Sequence, residues 1–128
     1  MTAYGLIFLG GGLGSVLRYA LGRWLPVWLP ATAFPAGVLV ANVLASLVLG
    51  GLTGWATGRA SAEPARWLLG VGLCGGLSTF SGFSQDTLLL LQQGRGGAAL
   101  LNIVLNTLGC LLASALGWWL LTRPPFSV

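Results

Sequence analysis

The sequence predicts an all-α membrane protein of four transmembrane helices, the third of them broken. Three observations predict it. Only 6% of the 128 residues are charged while 55% are apolar, and a soluble domain needs roughly a quarter or more of its surface charged. Four apolar runs each approach the ~20 residues that a bilayer span requires. The third run contains GVGLCGGLSTFSGFSQD, residues 70–86, where Gly72, Gly75, Gly76 and Gly82 weaken a helix and Ser78, Thr79, Ser81 and Ser84 bring hydroxyls to membrane depth. Irregular, polar backbone is tolerated there only when it is buried in protein or lines a wet path. A chain of this length holds one such unit, so 1–128 reads as a single domain.

The first span is expected over 4–22. The N-terminus has no basic stretch before its apolar run and so lacks the pattern of a cleaved signal. Arg18, Tyr19 and Arg23 mark the far end, where arginine snorkels and aromatic rings favour the interface. Residues 24–35, with three prolines and two tryptophans, read as an interfacial loop. The second span is expected over 36–57, followed by a polar link, 58–64, that carries Arg59 and Glu63. The third is expected over 65–91 and a tight loop with Arg95 over 92–97. The fourth runs over 98–121 and ends before Arg123-Pro124-Pro125.

The charge inventory excludes several classes. There is no histidine, and the only acids are Glu63 and Asp86. Catalytic triads, carboxylate pairs and most metal-ligand sets are therefore out of reach, and the chain is not expected to be an enzyme. Cys74 and Cys110 form neither a metal motif nor a disulfide framework. The +4 net charge is spread over six arginines near span ends, so no basic face for nucleic acid is formed. With four spans, Arg59, Arg66 and Arg123 fall on one side and Arg18, Arg23 and Arg95 on the other. Orientation follows the imbalance of arginine and lysine between the two sides. Here it is zero, which predicts insertion in both directions.

Polar residues recur along the spans. Gly10, Gly14, Arg18 and Gly22 are spaced for close helix packing. Asn42, Ser46, Gly50 and Thr53 share one face of the second span. Asn102, Asn106, Cys110 and Ser114 share a face of the fourth. Hydroxyls can serve as glue between helices. Three amides beside a hydroxyl-rich break exceed that need, since an unsatisfied amide in lipid is costly. Such a lining offers neutral N–H and O–H donors, and Phe80 and Phe83 add ring edges of positive potential. A cation path would show acidic rings or lining carbonyls, so the lining favours an anion.

The runs GGGLGSVLRY, GVLVANVLASLVLG and GLCGGLSTFSGFSQD, in this order, resemble the small bacterial fluoride channels of the CrcB/Fluc family. The likeness spans nearly the whole chain. It implies an antiparallel, dual-topology homodimer in the bacterial inner (plasma) membrane, whose function is passive export of cytoplasmic fluoride and hence fluoride resistance. By that resemblance, Asn42, Phe80 and Phe83 would line a fluoride pore, with Ser81 and Ser84 as polar neighbours; Asn106, on the polar ladder of the fourth span, is expected to line the same route. The backbone carbonyls of Gly75 and Ser78 would hold a structural sodium ion, Na+, at the dimer centre. Two departures stand out. The family's T-T-F-S-T reads here as Ser78-Thr79-Phe80-Ser81-Gly82, and Asn102, Asn106 and Cys110 replace a ladder of tyrosine and hydroxyl residues. A proton-coupled exporter is disfavoured, because spans one, two and four hold no acidic residue. A non-transporting scaffold would explain the glycines but not the amide stripes.

Overall fold

A computed structural model describes residues 2–28 and 34–122. Helix α1 is Thr2–Trp28 and α2 is Ala36–Ala56. A 3-10 turn, Ala60–Ala62, leads into α3, a continuous helical stretch over 63–77. Its middle, Arg66–Cys74, is wound as a π-helix, in which hydrogen bonds reach five residues along rather than four. The chain is extended at Ser78 and Thr79, with ψ of 152° and 116°. Helix α4 is Phe80–Gln92 and α5 is Gly96–Leu121. Among the described residues, Thr2–Leu25, Ala36–Ala56 and Gly96–Leu121 are long and apolar enough to cross a membrane. The 13 residues of α4 are too few to do so alone.

Two glycine-faced contacts organise the helices. In the first, α1 lies against α3. A Cβ on Gly10 would stand 2.8 Å from the Leu73 nitrogen, and one on Gly14 would stand 2.7 Å from that of Leu77. The glycine stripe predicted for close packing is used here for that purpose. In the second, α2 lies against α5. A Cβ on Gly50 would be 2.8 Å from the Ser114 Cα, and one on Gly117 would be 2.8 Å from the Gly51 nitrogen. Between the pairs sits a small buried cluster of Ala41, Ala45, Cys74 and Leu77. Residues this small let the backbones approach closely.

The helix ends are capped by specific groups. The guanidinium of Arg59 donates to the Trp55 carbonyl and lies 5.3 Å from the centroid of the Trp55 ring. Arg66 donates to the Ala56 carbonyl at 2.8 Å. Both cations sit where the C-terminal carbonyls of α2 lack helical donors. At the end of α4, Gly94 has φ +71°, its N–H bonds the Leu91 carbonyl, and the Arg95 N–H reaches back to Leu90. That pair is a Schellman closure, which needs the left-handed conformation that glycine adopts without strain.

Two expectations are corrected. Helix α1 runs on to Trp28, so the loop expected from residue 24 begins later. A proline removes one N–H, and within an apolar span that single loss is tolerated. Thr53 does not bridge to a neighbouring helix: its hydroxyl donates to Leu49 on its own helix at 2.8 Å. Residues 29–33 of the expected loop, together with Arg123, Pro124 and Pro125, lie outside the described residues.

Candidate functional site

The site forms where the break faces α2 and α5. Thr79 starts α4 as its N-cap, and its hydroxyl accepts from the Gly82 N–H at 3.0 Å. This leaves the Thr79 N–H without a helical acceptor. Asn42 Oδ1 supplies one at 2.7 Å, and Asn42 Nδ2 donates back to the Thr79 carbonyl at 3.3 Å. The amide of Asn42 thus clamps the extended residue on both sides. Because a backbone N–H can only donate, it also fixes which way the amide points.

From Asn42 the bonding crosses to α5. Asn42 Nδ2 donates to Asn106 Oδ1 at 2.9 Å. Asn106 Nδ2 donates to Asn102 Oδ1 at 2.9 Å and to the Asn102 carbonyl at 3.1 Å. Asn102 Nδ2 donates to Thr87 Oγ1 at 3.0 Å, and the Thr87 hydroxyl donates to the Phe83 carbonyl at 2.8 Å. Asn102 is only 1% exposed, and Asn42 and Asn106 are buried as well. The polar stripes on α2 and α5 therefore meet.

A cavity of about 460 Å³ opens beside this network. Asn42, Asn106, Phe80, Phe83, Ser78 and Thr79 border it at the break, and Ser46, Cys110 and Ser114 continue it along α2 and α5. The Phe80 and Phe83 rings are 5.4 Å apart and tilted by 53° to one another. No carboxylate borders the cavity among the described residues. Helix α4 begins at Phe80, which places its positive N-terminal end beside the cavity.

Most of the residues predicted to line a pore come together here, but not all. Asn42, Phe80, Phe83 and Asn106 do. Ser81 and Ser84 do not border this cavity. Both are exposed; the Ser81 hydroxyl pairs with that of Thr79 at 3.0 Å, and Ser84 donates to the Phe80 carbonyl at 2.9 Å. Ser81 leaves the helix about 100° round from Phe80, while Ser84, one turn after Phe80 on its exposed face, turns its hydroxyl back onto its own helix. Phe80 itself is 80% exposed and only borders the cavity. Thr87 was missed by sequence reasoning. Its signal was the spacing, since it falls four residues after Phe83 and so one turn further along the same face.

The break also leaves a backbone carbonyl short of a helical donor. The Thr79 N–H that would close a helical bond to Gly75 is taken by Asn42, so the Gly75 carbonyl loses that donor. Nothing lies within 4 Å of where a Gly75 Cβ would stand, and Ser78 is half-buried. Hard carbonyl oxygens of this kind suit a hard cation. Among the described residues no three His, Cys, Asp or Glu side chains gather for a metal.

Residues 5–118 match the family model described as CrcB-like protein, Camphor Resistance (CrcB). The chain is 43% identical over 119 residues to the fluoride-specific ion channel FluC of Klebsiella pneumoniae, covering 91% of each chain. It is 45% identical over 116 residues to that of Cronobacter sakazakii and 42% identical over 116 residues to that of Salmonella arizonae, covering 89% of each chain in both cases.

Proposed function

The chain belongs to the CrcB family, and on that premise we propose that it is a fluoride-specific ion channel working as follows. It is a multi-pass bacterial membrane protein and not an enzyme, and it passes fluoride down its gradient through the cavity at the break. HF is neutral and crosses membranes. Inside the cell it dissociates and the anion is trapped, so a passive fluoride pore lowers the internal load without ATP or proton coupling. The observation that carries this reading is a cavity bordered by two amide side chains and two phenylalanine rings, with no carboxylate among the described lining residues.

Fluoride holds its hydration shell tightly, and a pore must offer donors in exchange. Asn42 and Asn106 each make one longer bond beside a shorter one: 3.3 Å to the Thr79 carbonyl and 3.1 Å to the Asn102 carbonyl. An arriving anion can take these N–H groups while the shorter side-chain bonds hold the amides in place. The ring edges of Phe80 and Phe83 add positive potential, as does the start of α4. Chloride is larger and more weakly hydrogen-bonded, and it would leave such donors only partly engaged.

The working unit in this proposal is an antiparallel homodimer of four-span subunits, with α3 and α4 together forming one broken span. The balanced arginines support insertion in both directions. The 80% exposure of Phe80 at the rim of the cavity supports a second copy covering it. Ser81 and Ser84, exposed on that side, would then face the second copy. The Gly75 and Ser78 carbonyls from each subunit would hold a sodium ion, which, when bound, would neutralise converging carbonyl dipoles.

The test is efflux from liposomes carrying the purified chain. Rapid loss of fluoride with chloride retained is expected. Retention of both ions supports a scaffold instead, and equal loss of both removes selectivity from the account.

A further inference from the structure

The hydrogen bonds around the break form a chain with one direction. It starts at the Thr79 N–H, passes through Asn42, Asn106, Asn102 and Thr87, and ends on the Phe83 carbonyl. The first group can only donate and the last can only accept. Every amide between them is forced to present its oxygen to the donor before it and its NH2 to the acceptor after it. Reversing any one would set two donors or two oxygens face to face in a buried place, where an unmade hydrogen bond is expensive.

Two members of the chain stand back from the cavity. Asn102 is 1% exposed and does not border it, and neither does Thr87. Yet Thr87 anchors the far end. Its own hydrogen goes to Phe83, so its lone pair must accept from Asn102. Without that acceptor an Asn102 N–H is left unmade, so the Asn102 amide loses the bond that holds its oxygen against Asn106, and Asn106 keeps only its longer bond to the Asn102 carbonyl as a fixed partner on that side. An asparagine that turns its oxygen into the cavity repels the anion it was placed to attract.

We propose that Asn102 and Thr87 are positioning residues for anion permeation: the Thr79 N–H fixes Asn42 at one end of this one-way chain, and Thr87, through Asn102, anchors the other end and holds the Asn106 N–H groups in place. The proposal rests on the channel reading above and names how its selectivity is held. It separates the donors that meet fluoride from the residues that aim them.

The experiment compares wild type, Thr87→Val and Thr87→Ser in liposomes loaded with fluoride or chloride. Each protein is first shown to elute as the same assembled species. Valine keeps the shape and removes the hydroxyl, whereas serine keeps the hydroxyl. Thr87→Val is expected to slow fluoride efflux by about tenfold, the worth of one buried hydrogen bond, and to narrow the ratio of fluoride to chloride. Thr87→Ser is expected to keep both near wild type. Asn102→Leu, where it assembles, is expected to behave as Thr87→Val. Wild-type rate and selectivity in Thr87→Val, or equal losses in the valine and serine variants, overturn the positioning role alone. A wild-type protein that moves no fluoride overturns the channel reading itself.

Discussion

The α1–α3 contact and the α2–α4–α5 seam solve the same problem in opposite ways. Both bring backbone close together between helices. Along α1–α3 the solution is to remove side chains: Gly10 and Gly14 let α1 rest on the Leu73 and Leu77 backbone nitrogens. The two helices meet backbone to backbone. At the seam the helix is interrupted, and side chains replace the missing bonds: Asn42 takes the Thr79 N–H and Thr79 caps α4. The first contact can only hold. The second has amide hydrogens in longer bonds, the ones the proposed function assigns to an anion. Close packing gives rigidity, and substituted hydrogen bonding gives a place where chemistry can enter.

The largest break in that comparison comes from the glycine side. Gly14→Leu puts a side chain onto backbone that cannot yield, and no assembled protein is expected when the detergent-solubilised variant is run by size exclusion. The seam should fail differently. Phe80→Ile or Phe83→Ile removes a ring edge without filling a tight contact. Assembly should persist while fluoride efflux falls roughly tenfold or more, the equivalent of about 1.4 kcal/mol. A smaller effect is expected at Cys110, which borders the cavity while Cys74 is buried away from it. Methylthiolation should slow fluoride efflux in wild type and leave Cys110→Ala unaffected. The smallest effect sharpens the glycine side. Nothing lies within 4 Å of a Cβ on Gly12, so Gly12→Ala should raise the melting temperature modestly, by the ~0.5–1 kcal/mol that alanine gains over glycine in a helix, with flux unchanged. Gly12 and Gly14 are thus two residues apart with opposite expected outcomes.

Much of both regions was legible in the sequence, because both depend on helical spacing. Gly10 and Gly14 fall one turn apart, as do Asn102 and Asn106, and a four-residue repeat survives folding. The break was legible from glycines and hydroxyls in an apolar run. Other features were set by tertiary partners that spacing does not reveal. The π-winding of Arg66–Cys74 has no local sequence mark. Whether a hydroxyl turns home or across is equally hidden. Thr53 and Ser84 bond their own helices, whereas Ser114 reaches the Ser46 carbonyl on α2 at 3.2 Å. Nothing in the local sequence marks Thr87 as the acceptor for Asn102.

The central claim is that the seam is the fluoride route and Asn42 its hinge. It is tested most directly by initial fluoride efflux from liposomes holding equal amounts of assembled wild type or Asn42→Ala, beside chloride-loaded controls. The account predicts that wild-type vesicles empty fluoride and keep chloride, while Asn42→Ala vesicles lose fluoride roughly ten- to hundredfold more slowly, in line with a buried N–H left without its acceptor. Equal fluoride rates in the two sets of vesicles would contradict it.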